Sequence, residues 1–197
     1  ANPKYPTVEK KIIKTEYPYA LSKNLGEQLV LHWEKVYKLN VTSFRFFNVY
    51  GPRSRTTGAY GAVFGVFLAQ KINEKPLTIV GDGRQTRDFI HVYDVVRALV
   101  LSIKKGKSGH VYNLGSGVET SVNLIAKIIG GKKIFVPKRP GEPQRSIANI
   151  KKIKNHLKWK PKISIKYGIS MLMKNLDDWT NAPLWTPKKI KKATKLW

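Results

Sequence analysis

Residues 17–27, YPYALSKNLGE, set Tyr19 four positions ahead of Lys23. On a helix these two positions share a face. A phenol titrates near about 10 and is a poor base at neutral pH. An ammonium one turn away favours the phenolate. Such a pair can take a proton from a substrate hydroxyl while hydride leaves the same carbon for a nicotinamide. The same spacing also describes an exposed aromatic on a lysine-rich helix. Tyr17 has no lysine four residues on and takes no part in the pattern.

Other chemistries are excluded or weakly supported. The chain has no cysteine, so disulfides, thiolate nucleophiles and thiolate metal sites are ruled out. His32, His91, His110 and His156 show no ligand spacing, and no metal is expected. Asp177 and Asp178 are adjacent, so on a helix they point apart and form no catalytic carboxylate pair.

The elements that would position Tyr19 and Lys23 are legible from periodicity. Residues 1–16 read as a polar loop. Pro18 suits a first helical turn. Leu21, Leu25, Leu29, Trp33 and Val36 recur at helical spacing, which predicts a long amphipathic helix to about Lys38. LNVTSFRFFN, 39–48, predicts one strand, ended by Pro52. Beyond a glycine-rich stretch and a helix come a strand and turn in PLTIVGDG and a helix from Val92 to about Gly106. The helix carries Val92, Val95, Val96, Leu99, Val100 and Ile103 on one face. HVYNLGSG reads as a strand, ETSVNLIAKIIGG as a helix and KKIFV as a strand. Residues 163–179 read as one helix, followed by a short basic helix near the end. Strands alternating with helices predict an α/β architecture. No apolar run reaches the ~20 residues of a membrane span, and residues 1–14 lack the apolar core of a secretory signal.

PYALSKNLGE, RFFNVYGP, GDGRQTRDFIHVYDVV, YNLGSG and RPGEP follow one another in a single order across the chain. Together they resemble the extended short-chain dehydrogenase/reductase family, the NAD-dependent nucleotide-sugar epimerases and dehydratases. The resemblance covers nearly the whole chain and implies the C-terminal three fifths of such an enzyme. The expected fold is the C-terminal part of a Rossmann-type doubly wound α/β fold plus a smaller substrate-binding subdomain. Residues 1–50 would end the Rossmann portion. Residues 51–197 would mainly bind substrate, with some segments returning to the Rossmann sheet. The family's Gly-x-x-Gly-x-x-Gly loop and its catalytic Ser or Thr have no counterpart here, so the missing part is expected upstream of Ala1.

The resemblance also implies roles. Tyr19 is the catalytic base or acid. Lys23 lowers its pKa and binds the nicotinamide ribose of NAD. Phe46 and Phe47 lie near the nicotinamide. Asn48 and Arg87 contact the substrate diphosphate, and Arg139 and Glu142 hold phosphate and nucleotide ribose. A diphosphate is well matched by the fixed fork of arginine, and Arg87 and Arg139 stand out in a chain rich in lysine. Arg53 and Arg55 serve equally well as loop anchors. Asp82 and Gly83 read as a turn. Asn149 stands where the family commonly has Asp, and it is expected to cap the next helix.

The implied activity is epimerisation of a nucleotide sugar, UDP-glucose 4-epimerase-like, through transient oxidation at C4. A 4,6-dehydratase of the same family is the alternative. The enzyme is expected to be cytoplasmic and to form a homodimer through the Tyr19–Lys23 helix. This chain alone is expected to be inactive. A reading of another class rests on charge: Lys and Arg number 37 against 12 acidic residues, a formal net charge of +25. The runs 151–154, 158–162 and 188–192, with Trp159, Trp185 and Trp197 nearby, could serve a polyanion or nucleic-acid binder. No nucleic-acid fold signature accompanies them.

Overall fold

The structure, a computed structural model, describes residues 5–11, 13–16, 18–54, 63–138 and 142–194, without the side chains of 191–194. The chain runs through α1 (Pro18–Tyr37), β1 (Thr42–Phe46), β2 (Asn48–Tyr50), α2 (Val63–Ile72), β3 (Leu77–Val80), β4 (Thr86–His91) and α3 (Val92–Lys105). It continues through β5 (His110–Leu114), β6 (Glu119–Ser121), α4 (Val122–Ile129), β7 (Lys133–Val136), α5 (Lys151–Leu157), α6 (Ile165–Lys174) and α7 (Pro187–Thr194). A 3-10 turn, Leu176–Trp179, lies between the last two helices. The architecture is α/β, as expected. β1 pairs parallel with β5, β2 with β4, and β3 with β7; β6 joins β4 antiparallel.

The single strand expected over 39–48 is two. β1 stays with β5 until the Phe47 amide donates to the Leu114 carbonyl at 3.0 Å. The chain then changes partner, and Asn48 stands opposite Phe89 on β4. The switch follows from packing. Phe44, Phe47 and Val49 pack against a core of Ile90, Val95, Tyr112, Leu114, Ile153 and Trp159. Tyr50 belongs to a second core with Phe64, Phe67, Leu68, Phe89, Ile125 and Trp179. Alternate residues of a strand face opposite ways, so β4 sends Phe89 to one core and Ile90 to the other. It is the wall between them.

β4 itself is hard to read from sequence, because only Phe89 and Ile90 of TRDFIH are apolar while Asp88 and His91 are buried as well. The carboxylate is saturated: it accepts from the Ser116 amide and hydroxyl, both at 2.6 Å, from the Gly117 amide at 2.9 Å and from the Ala148 amide at 3.0 Å. α5 is short and lysine-rich, and only Ile153 and Leu157, one turn apart, mark its buried face. The cap expected at Asn149 falls instead at Ile150, which offers no side-chain cap bond; from the position before it, Asn149 Oδ1 accepts from the Lys151 amide at 3.0 Å. The helix expected over 163–179 ends at Lys174. Asn175 leaves the helical region there, and the 3-10 turn delivers Trp179 into the core.

α1 spans the range its periodicity predicts, yet it has no buried residue. Leu21, Leu25, Leu29, Trp33 and Val36 are 45–56% exposed. On α3, Val95 is buried while Val96, Val100 and Ile103 are exposed. The apolar stripe is real, but nothing among the described residues covers it. The segment before α1, expected to be a loop, is tied to β5. The Asn113 amide donates to Glu9 Oε1 at 2.9 Å, and the Asn113 Nδ2 donates to the Thr7 carbonyl at 2.9 Å. No helix among the described residues is long and apolar enough to cross a membrane.

Candidate active site and substrate-binding site

Tyr19 and Lys23 do share a face of α1. The Lys23 ammonium lies 5.5 Å from the centre of the Tyr19 ring, and Tyr19 is 72% exposed. Its phenol is open to whatever occupies the space beside the helix. One and two turns further on sits Glu27, which reaches down to β1. There Arg45 donates through Nε and Nη2 to the two Glu27 oxygens at 2.8 and 2.7 Å, and through Nη1 to the Glu9 carbonyl at 3.0 Å. Donating to the Glu27 carboxylate raises the Arg45 pKa above its ordinary value. A weaker polar contact holds the far end of α1, where the Ser108 hydroxyl meets Glu34 Oε1 at 3.3 Å.

β1 carries the chain from Arg45 to the next candidates. Phe46, at its C-terminal end, presents an exposed ring. Phe47 is partly buried against the core that holds Ile90, so of the two only Phe46 offers a broad apolar face. Asn48 opens β2 with an exposed side chain. It stands opposite Phe89, two residues along β4 from Arg87.

Arg87 and Glu142 meet directly, Arg87 Nη2 donating to Glu142 Oε1 at 2.9 Å. Arg87 Nη1 donates to the Thr86 carbonyl at 2.8 Å. The Arg87 side chain is 12% exposed. The segment carrying Glu142 is pinned to β4, because the Thr86 amide donates to the Gln144 carbonyl at 2.9 Å. It is also clasped to β6. Arg145 donates to the two Glu119 oxygens at 2.8 and 2.6 Å, and the Thr86 hydroxyl adds a third bond at 2.8 Å. Hydrogen bonding from Arg145 holds the Glu119 pKa below its ordinary value. Arg139 lies outside the described residues.

Beside this pair a cavity of about 230 Å³ is lined by Val80, Gly81, Gln85, Lys138, Glu142 and Gln144, among others. Gln85, Lys138 and Gln144 are the residues that sequence reasoning missed here. Their only signal is position, since they flank the TRDF and RPGEP motifs. Asp82 makes the expected turn, its Oδ1 accepting from the Arg84 amide at 2.9 Å. Arg53 is exposed in the turn after β2, and Arg55 lies outside the described residues.

Trp159 does not serve the polyanion reading. Trp159 is 1% exposed and donates from Nε1 to the Asp94 carbonyl at 3.1 Å. The Trp185 indole nitrogen is buried, and Trp197 lies outside the described residues. A base has no Trp159 face to stack on. Lys152, in the first lysine run, donates to the Val111 carbonyl at 2.7 Å and lies over the Tyr112 ring. It is occupied within the fold.

The α/β architecture thus carries a tyrosine–lysine pair on the helix before β1 and an arginine–carboxylate pair at β4. Residues 2–115 match the NAD dependent epimerase/dehydratase family, and the chain belongs to that family. It is 36% identical over 162 residues to a putative UDP-glucose 4-epimerase of Methanocaldococcus jannaschii, covering 79% of this chain and 52% of that protein. Its fold matches the epimerase of Methanothermobacter thermautotrophicus with a TM-score of 0.84 and 30% identity, over 93% of this chain and 58% of that one. It also matches the UDP-glucuronic acid 4-epimerase of Bacillus cereus in complex with UDP-glucuronic acid and NAD. There the TM-score is 0.75 and the identity 30%, over 97% and 58% of the two chains. The chain spans about half the length of the curated relatives it matches.

The exposed Tyr19 phenol, the Lys23 ammonium over its ring and the open ring of Phe46 suit the nicotinamide end of NAD. The sequence contains no Gly-x-x-Gly-x-x-Gly pattern of the kind that would hold the pyrophosphate end.

Proposed function

We propose that the chain supplies the proton-transfer helix and the substrate-binding part of an NAD-dependent nucleotide-sugar epimerase acting at C4 of the sugar. The observation that carries this reading is the Lys23 ammonium set against an open Tyr19 phenol, in a chain whose relatives include proteins named UDP-glucose 4-epimerase. Residues up to about 50 end the dinucleotide-binding part, and most of the remainder binds substrate. In this reading the Tyr19 oxygen takes the proton of the C4 hydroxyl and later returns it. Lys23 stabilises the phenolate electrostatically and binds the nicotinamide ribose. NAD, when bound, accepts and returns the hydride. Phe46 covers the nicotinamide with its open ring, and Phe47 lies next to it, near the same end of the cofactor. Asn48, Arg87 and Arg139 hold the diphosphate, whose charge matches arginine's fork of donors. Glu142 accepts from the nucleotide ribose. The cavity beside Glu142 takes the nucleoside.

Two copies pair through α1, whose exposed Leu21, Leu25, Leu29 and Trp33 form one stripe. An apolar stripe of this length in water favours burial against a partner.

Tyr19→Phe in the full-length protein tests the reading. Turnover is expected to vanish while nucleotide-sugar affinity stays within a few-fold. Unchanged turnover removes Tyr19 from the chemistry. A thermal-shift titration with UDP, dTDP, GDP and CDP names the nucleotide, with single-stranded DNA as the control for polyanion binding.

A further inference from the structure

From the geometry we infer that Glu27 and Arg45 are a positioning pair that fixes Tyr19 and Lys23 relative to the C-terminal end of β1. The inference rests on the proposed proton-transfer role of Tyr19.

α1 is a helix with little else to locate it. None of its residues is buried. It carries a glycine at its middle, Gly26, with nothing within 4 Å of the position a Cβ would take. A glycine there weakens the helix by roughly 1 kcal/mol against alanine. Among the described residues its polar ties to the sheet side of the molecule are few. Ser108 meets Glu34 at an exposed site near the C-terminal end. Glu27 makes the two-pronged contact to Arg45, with side-chain exposures of 13% and 26%.

Position decides what that contact can do. Tyr19, Lys23 and Glu27 fall at successive i+4 steps on one face. At a rise of about 1.5 Å per residue, Glu27 lies about 6 Å along the axis from Lys23 and about 12 Å from Tyr19. Arg45 immediately precedes Phe46, and Asn48 follows two residues later. The guanidinium also donates to the Glu9 carbonyl, and Glu9 Oε1 in turn accepts from Asn113, the residue opposite Arg45 on β5. A carboxylate clamped by two parallel N–H donors has one orientation. The helix is therefore set both in rotation and in height against the strand that carries Phe46. A misplacement of about 1 Å at a reacting group can cost about 100-fold in rate.

The test uses the full-length protein with Tyr19→Phe, Glu27→Gln, Glu27→Asp, Arg45→Met and the exchange Glu27→Arg with Arg45→Glu. Glu27→Gln and Arg45→Met are expected to lower kcat per folded protomer about 10- to 100-fold, with KM for the nucleotide sugar within about twofold. Amide exchange at 19–26 in the NAD-free protein is expected to accelerate about tenfold or more relative to α3. The exchanged pair is expected to recover part of both losses. Should Arg45→Met not fold, Glu27→Asp keeps the charge but shortens the reach, and it reports the same geometry. Unchanged kcat and unchanged local exchange overturn the inference. So does a loss of stability with normal kcat per folded protomer, which describes a structural tie alone. If Tyr19→Phe itself retains turnover, the underlying reading of Tyr19 fails instead, whatever Glu27 and Arg45 do.

Discussion

Arg87 and Glu142, 55 residues apart in sequence, meet through a 2.9 Å ion pair between β4 and the segment that follows β7. Glu142 lines the cavity with Gln85 and Lys138, and Arg87 neutralises its charge from behind. In the proposed function a substrate phosphate meets an arginine already oriented by Glu142 and the Thr86 carbonyl. Arg87→Lys in the full-length protein keeps the charge but loses the fork. A charged hydrogen bond contributes about 1.5–3 kcal/mol, so affinity for a nucleoside diphosphate is expected to fall about 10-fold or more. Calorimetric titration checks it, and an unchanged Kd removes Arg87 from the substrate site.

The exposed stripe of α1 predicts an oligomer. Leu25→Glu with Leu29→Glu places two charges where the proposed dimer would bury apolar surface. Sedimentation of the full-length protein is expected to move from dimer to monomer, with little change in far-UV circular dichroism. A variant that sediments as the wild type leaves that face outside any interface.

Gly26 gives a separate prediction on the same helix. A methyl group there meets nothing within 4 Å. Gly26→Ala is expected to stabilise the protein by roughly 0.5–1 kcal/mol through helix propensity, read as a raised denaturation midpoint. A loss of stability instead would mean that a partner in the assembly packs closely on that spot.

Gly168 behaves in the opposite way. It lies inside α6, where a Cβ would run into the Tyr50 hydroxyl, and Tyr50 is 3% exposed in the core. Overpacking of this kind costs about 1–3 kcal/mol. Gly168→Ala is expected to lower the denaturation midpoint accordingly, and no change would show that Tyr50 relaxes freely.

Acid should weaken the fold. Burial holds His91, His110 and His156 below the ordinary histidine value, with Lys152 and Lys107 adding to the effect at the last two. As pH falls below about 6.5, the unfolded chain takes up protons that the folded chain does not, so stability declines until the folded values are reached. Glu119, held low by Arg145, extends the decline: its contribution is present above its unfolded value and is lost as pH falls through its folded one. Denaturant midpoints are expected to drop from pH 7.5 to 5.5. His91→Asn keeps a cap for the Tyr93 amide, which His91 Nδ1 now accepts, and should make the drop shallower. A midpoint that stays flat with pH contradicts the burial of these rings.

The sequence by itself determined the local elements and the chemistry of single residues. The i+4 spacing of Leu21 to Trp33 specified α1, and the same period placed Lys23 over Tyr19. The TRDF and RPGEP motifs picked out Arg87 and Glu142, because arginine and carboxylate carry their chemistry in any context. Only tertiary structure decided that those two bond to each other, since contacts across 55 residues depend on how β4 and the late segment pack. The split of 39–48 into β1 and β2 was equally hidden. It arises because Phe47 and Tyr50 enter different cores, and no local period records which core a side chain will meet. β4 carries no local signal for its burial, because its Asp88 is solvated by backbone amides from residues 116, 117 and 148 rather than by water. Periodicity likewise showed that α1 and α3 each have an apolar face, while burial of Val95 and exposure of Val100 and Leu25 were settled by what lies against each helix. A hydrophobic stripe is a property of the chain, but its burial is a property of the surface it meets.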